Sequence, residues 1–193
     1  MRLLDKCSLL EKKKVLSYHG RADRKRSLIG IRLIDWVLKQ FGQNEFQLKK
    51  TASGRPFIEE SITWEGDFNL SHSGDWVIIG ITDRGYIGVD IEQILPIDYE
   101  LVLQCLSPSE RDSLSKIKNW QPLFYRIWTM KEAIYKSGRF QQTPLETIDI
   151  YSGEYDHNHM SIYSPDDRHI IAVYTDCLHA PAKIEEIELS SLL

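Results

Sequence analysis

Apolar residues recur almost all round a helical wheel over residues 27–41, where Leu28, Ile29, Ile31, Leu33, Ile34, Trp36, Val37, Leu38 and Phe41 are followed by Gly42. That pattern predicts a buried helix with a glycine C-cap. From Thr51 to Glu92 the period shortens to that of strands, at 55–58, 68–71, 76–81 and 86–91. Gly74-Asp75 and Asp83-Arg84-Gly85 read as turns, and the second predicts that the last two of these strands form a hairpin. Ser107-Pro108-Ser109-Glu110 reads as an N-cap, a proline at the first helical position and a capping-box glutamate, predicting a helix over 108–117. A second helix is predicted over 122–136, with Leu123, Ile127, Met130 and Ile134 at helical spacing and a stop at Gly138. Strands return at 169–174. The run Ile78-Ile79-Gly80-Ile81-Thr82-Asp83 is echoed, with one residue inserted, by Ile170-Ile171-Ala172-Val173-Tyr174-Thr175-Asp176, as two related halves would produce.

A chain of 193 residues, 42% hydrophobic and 27% charged, has room for one domain of good size or two small halves sharing a core. The composition excludes disorder and collagen. A net charge of −4 supplies no overall basic field for nucleic acid. The longest apolar run, 76–81, is far shorter than the ~20 residues a bilayer span needs. Charge at Asp5 and Lys6 interrupts any secretory core, so cytoplasmic residence is expected, with no membrane partner. Cys7, Cys105 and Cys177 are odd in number and lack any Cys-x-x-Cys pairing, which reads as reduced packing residues. Locally the charge is not neutral: Lys12, Lys13, Lys14, Arg21, Arg24, Lys25 and Arg26 face only Glu11 and Asp23. Standing alone, this run is either a solvated helix surface or an anion-binding face.

Candidate chemistry gathers in three segments. In Gly88-Val89-Asp90-Ile91-Glu92 the strand period puts both carboxylates on one face and Val89 and Ile91 on the other. Two hard oxygen donors suit Mg²⁺, and an exposed strand face with lysines nearby is the alternative. In Trp128-Thr129-Met130-Lys131-Glu132-Ala133-Ile134-Tyr135-Lys136, Glu132 and Lys136 share a helix face at i, i+4. Taken by itself the pair is an ordinary surface ion pair; taken with Asp90 and Glu92 it offers a third carboxylate and a lysine for phosphate charge. Phe68-Asn69-Leu70-Ser71-His72-Ser73-Gly74 puts hydroxyls and a histidine before a tight turn, a phosphate grip or simply turn chemistry. Neighbours on a strand point to opposite faces, which disfavours a Ser/His nucleophile pair. His157-Asn158-His159 reads as a polar loop.

Together, Gly54-Arg55-Pro56, Asn69-Leu70-Ser71-His72-Ser73, Gly88-Val89-Asp90-Ile91-Glu92 and the 128–136 segment resemble the ordered motifs of 4′-phosphopantetheinyl transferases, the larger surfactin-synthetase-activating type in particular. The resemblance runs from about Leu10 to the strand near Tyr174. It implies an α+β, pseudo-twofold fold of two similar halves, 1–86 and 87–193, each a small, mainly antiparallel sheet on helices, with coenzyme A in the cleft between them. It further implies transfer of 4′-phosphopantetheine from coenzyme A to a serine of an apo acyl or peptidyl carrier protein, releasing adenosine 3′,5′-bisphosphate. Carried over by motif, Asp90, Glu92 and Glu132 would hold Mg²⁺, Glu132 would be the base and Lys136 would neutralise phosphate charge. Arg26, Ser71 and His72, with Lys14, would hold the 3′-phosphate end, and Gly54, Arg55 and Pro56 would line the adenine side.

The segment 94–106, with Ile97, Leu101, Leu103 and Leu106, reads as part of a carrier docking surface or as core packing. Carriers of fatty acid, polyketide and nonribosomal peptide synthesis all present the same serine. Two halves in one chain complete a cleft, so a monomer is expected. Two features depart from the family pattern: Arg55 stands where a lysine is usual, and residues 1–9 do not read as the strand that precedes the first helical pair. The same residues could otherwise serve a Mg²⁺-dependent phosphohydrolase acting on coenzyme A, or a non-catalytic coenzyme A or carrier-protein binding module.

Overall fold

The computed structural model describes residues 2–52, 54–59, 64–140, 143–155, 159–176 and 184–192. The expectations placed on Cys177 and on the loop at His157 and Asn158 lie outside these residues. After a single turn α1 (Arg2–Asp5), a complete Ser8/Glu11 capping box starts α2 (Leu9–Ser17). Helix α3 (Arg21–Gln40) begins six residues before the apolar run that marks it, because the basic stretch from Arg21 is itself helical, with Arg26 bonded to Asp23 one turn back. It ends where Gly42 takes φ +77°.

Five short strands follow: β1 (Leu48–Lys50), β2 (Pro56–Ile58), β3 (Asp67–Ser73), β4 (Trp76–Thr82) and β5 (Ile87–Gln93). The chain continues through α4 (Tyr99–Gln104), the Ser107-capped α5 (Pro108–Ser115) and α6 (Gln121–Lys136) to β6 (Met160–Tyr163) and β7 (His169–Thr175). The two-residue turn at Gly74-Asp75, with Gly74 at φ +55°, closes an antiparallel β3–β4 hairpin in which Ser73 faces Trp76 and Asp67 faces Thr82. The hairpin expected from 76–81 and 86–91 is therefore corrected. Residues 83–86 carry the chain from one sheet to the next, and β5 pairs antiparallel with β7, in a sheet of order β5-β7-β6.

The architecture is α+β, with small antiparallel sheets packed on helices. In the first half, Ile34 and Leu38 of α3 bury against Phe68, Leu70, Ile79 and Ile81 of β3 and β4. In the second, Ile127, Ala133 and Ile134 of α6 bury against Ile170, Ala172 and Tyr174 of β7. A third cluster of Ile87, Val89, Ile91, Ile171 and Val173 receives Trp76 and Ile78 from β4 and so joins the halves. The two echoed segments of the sequence are β4 and β7, the antiparallel partners of β3 and β5 respectively.

The seam between β3 and β5 is made by side chains. The backbone N–H of Ile87 donates to Asp67 Oδ2 (3.0 Å), that of Val89 to Asn69 Oδ1 (2.9 Å) and that of Gln93 to Ser73 Oγ (3.0 Å). Alternate polar residues of β3 thus answer alternate amides of β5, with a constant offset of twenty residues, while Phe68 and Leu70 turn to α3.

Candidate active site

Gly88 fixes the approach on which the site depends. A Cβ there would lie 1.9 Å from the Ala133 carbonyl and 2.5 Å from the Ser137 amide, so α6 rests on the backbone of β5 as only glycine permits. Lys136, in the last turn of α6, then reaches Asp90 on β5, with Nζ 2.6 Å from Oδ1. Ser71 Oγ donates to the same oxygen at 2.8 Å, and Lys136 Nζ stands 3.3 Å from Ser71 Oγ and 3.8 Å from Glu132 Oε2. Ser73 Oγ donates to Glu92 Oε2 at 3.3 Å, and the Trp128 side chain hydrogen-bonds the same carboxyl.

The electrostatics follow from burial and like charge. Asp90, 1% exposed, is raised above the ordinary carboxylate range by burial, against the pull of Lys136 and Ser71. Burial and the neighbouring Asp90 push Glu92 up to about 7. Glu132 is raised by burial, with Lys136 opposing. Among the described residues no three metal-binding side chains already close on one point. Lys136, bonded to Asp90 and near Glu132, supplies the countercharge. Yet the donor set fits a hard divalent cation: Asp90 Oδ2 is buried with no hydrogen-bond partner, and three carboxyls raised by burial, Glu92 and Glu132 also by the charge of Asp90, would all be relieved by positive charge.

The other expected residues fall around this centre in two places. At the β3–β4 turn, Arg26 donates from Nη1 to the Gly74 carbonyl (3.0 Å) and from Nη2 to Asp23 (2.6 Å), and His72 is exposed on the same hairpin. Ser71 is buried and turned to Asp90, not outward with His72. Lys14 lies beside Lys50, and loss of solvent followed by repulsion from that lysine draws it below the usual lysine range. Lys50 faces Pro56 across the β1–β2 ladder, which brings Lys14 to the Gly54-Arg55-Pro56 side. Gly54, at φ +85°, turns the chain there. The Arg55 guanidinium donates within the protein, to Lys136 O, Asp67 Oδ2 and Ile87 O.

The sequence assigns no role to Asp67, Asn69 or Trp128, and reads the Ser73 hydroxyl only as part of a phosphate grip or a turn. The period-two polar alternation Asp67, Asn69, Ser71, Ser73 is the signal that could have found Asp67, Asn69 and Ser73: on a strand packed on both sides, such a stripe must be answering buried polar groups.

An α+β chain that clusters carboxylates and a lysine where two small sheets meet has the equipment of an enzyme acting on phosphate esters. Two family models match it in succession: "4′-phosphopantetheinyl transferase, N-terminal" over residues 2–83 and "4′-phosphopantetheinyl transferase superfamily" over residues 86–175. It is 34% identical over 155 residues to the 4′-phosphopantetheinyl transferase ffp of Bacillus subtilis, covering 77% of this chain and 68% of that one. Against the transferase Sfp of Bacillus subtilis strain 168 the identity is 32% over 146 residues, 72% of this chain and 64% of the relative. A further Bacillus subtilis 4′-phosphopantetheinyl transferase is 30% identical over 171 residues, 86% and 74% of the two chains. The chain spans about two thirds of the length of these relatives and belongs to the 4′-phosphopantetheinyl transferase superfamily. No helix among the described residues is long and apolar enough to cross a membrane.

Proposed function

We propose that the protein transfers 4′-phosphopantetheine from coenzyme A to a serine of an apo acyl or peptidyl carrier protein, with Mg²⁺, in the cytoplasm and as a monomer, releasing adenosine 3′,5′-bisphosphate. The observation that carries this reading is the joining of Asp90 and Glu132 by Lys136 at the β5–α6 contact, with Glu92 tied to Trp128 of the same helix, in a chain of this family. Residues 1–86 and 87–193 would form the two halves, with coenzyme A between them. Arg26 and His72 would meet the 3′-phosphate end, with Lys14 and Ser71 at its margins, and Gly54, Arg55 and Pro56 would border the adenine.

Asp90, Glu92 and Glu132 would hold Mg²⁺, which when bound stabilises charge on the pyrophosphate. Glu132 accepts the proton of the attacking serine at its carboxylate, which the i, i+4 spacing sets beside Lys136. The serine oxygen attacks the phosphorus bearing pantetheine, and the bond to the departing nucleotide phosphate breaks. Lys136 keeps its ammonium beside both carboxylates and can turn to the phosphate that gains charge. Leu95 and Leu101, each more than half exposed between β5 and α5, offer apolar surface for the carrier, whereas Leu106 of the expected docking segment is core.

Intact mass of apo acyl and peptidyl carrier proteins, after incubation with this protein, coenzyme A and Mg²⁺, tests the reading. Gain of one phosphopantetheine, lost in EDTA, is the expected result. Consumption of coenzyme A without any carrier would replace it with a phosphohydrolase, and heat stabilisation by coenzyme A without product would leave a binding module.

A further inference from the structure

Arg55 lies in the motif expected beside the adenine, yet its side chain is only 13% exposed and its guanidinium bonds three protein acceptors. Nε–H donates to the carbonyl of Lys136 at 2.9 Å. Nη2 donates to Asp67 Oδ2 at 2.6 Å and to the carbonyl of Ile87 at 2.9 Å. Asp67 Oδ2 also accepts the Ile87 amide at 3.0 Å, so one ion pair grips both backbone groups of that residue. Ile87 opens β5, three residues before Asp90, and Lys136 closes α6, four residues after Glu132. The acceptors are therefore the two chain ends that carry the opposing sides of the carboxylate site, and the last carbonyls of a helix have no partner within it.

We infer that Arg55, held by Asp67, is a positioning residue: it pins the end of α6 to the start of β5 and so sets the distance between Asp90 and the Glu132–Lys136 pair. This rests on the reading of the site as a coenzyme A and Mg²⁺ centre and assigns the side chain a task other than touching the nucleotide. The rigid fork of a guanidinium can serve three acceptors in these directions, whereas the single ammonium of a lysine cannot hold all three in that geometry. A shift of about 1 Å in such a supporting contact is enough to be felt strongly in the chemistry.

The test compares wild type with Arg55→Lys and Asp67→Asn by measuring the coenzyme A Kd in EDTA and in Mg²⁺, together with kcat for carrier loading. The Kd in EDTA is expected to stay within about twofold. The improvement that Mg²⁺ gives, and kcat, should each fall about tenfold or more, the usual cost of losing an outer partner of a metal site. A Kd that weakens equally with and without Mg²⁺ would make Arg55 a nucleotide contact and overturn the inference. So would a lowered melting temperature with binding and kcat unchanged, or a wild type that gains nothing from Mg²⁺. Should Arg55→Lys fail to fold, Asp67→Asn decides, since it keeps the size of the side chain and removes the charge that holds the guanidinium against both carbonyls. A wild type that binds coenzyme A better with Mg²⁺ but loads no carrier would sink the transferase reading, while the Kd comparison would still judge Arg55.

Discussion

Glu132 and Lys136 share one helix face, and the proposed mechanism gives the serine's proton to the carboxylate and not to the ammonium. Glu132→Gln should abolish carrier loading while leaving the fold and most coenzyme A affinity, as read by intact mass beside calorimetry. Glu92 predicts a pH dependence. It titrates at about 7 in the fold against 4.5 for an ordinary glutamate, so between those values the folded chain retains a proton that the unfolded chain has released. This contribution to stability is full below about 4.5 and is lost as pH rises through about 7. Asp90 and Glu132 are raised in the same direction. A melting series across that range in EDTA should fall with pH, and Glu92→Gln should flatten it. Lys131, quoted in the sequence only as part of a motif, is fully buried with its ammonium 2.7 Å from Glu110, which also takes the amides of Ser107 and Ile150. Lys131→Ala leaves that carboxylate alone in the core and should cost about 3–5 kcal/mol by denaturant unfolding. The sequence made Glu110 legible as a capping-box residue, because that bond is local; its partner twenty-one residues on was not, since nothing in a helical motif tells a buried lysine from a solvated one.

Among the elements, the contact of β5 with α6 does most to make the site. Gly88→Ala would drive a methyl into the backbone of Ala133 and Ser137, which cannot withdraw as a side chain could. The expected loss is about 2 kcal/mol or more, read from the urea midpoint, with the Lys136–Asp90 pair pulled apart. Gly74→Ala is expected to be milder: φ +55° is strained for alanine, but the crowding there is from the ends of the His169 and Gln93 side chains. Helices and strands were legible because periodicity and caps are local: Gly42, Gly138 and Ser107 each end or start a helix as read. Strand partners were not. The turn at Asp83-Arg84-Gly85 looks like a hairpin turn, and only the register of β3 with β4 and of β5 with β7 shows that the chain is changing sheets there.

At the scale of the whole molecule, the proposed site draws on both halves, so a change in one should be felt by ligand contacts in the other. Asp90→Ala on β5 should remove the Mg²⁺ dependence of coenzyme A binding, measured by calorimetry with and without EDTA, although the residue lies in the half opposite Arg26 and His72. The order of motifs along the chain made the class of chemistry legible, whereas the way the halves meet depends on pairings twenty residues apart in β3 and β5. That seam has a consequence for behaviour in solution. The outer edge of a sheet ordinarily presents free amides that can recruit a strand from another molecule. Here β3 lies along the edge and occupies the amides of Ile87, Val89 and Gln93 with short side chains instead of its backbone, so this edge of β5 is closed to such recruitment. Shortening Asp67, Asn69 and Ser73 to alanine would reopen it, and light scattering should then detect growing aggregates before the fold itself is lost.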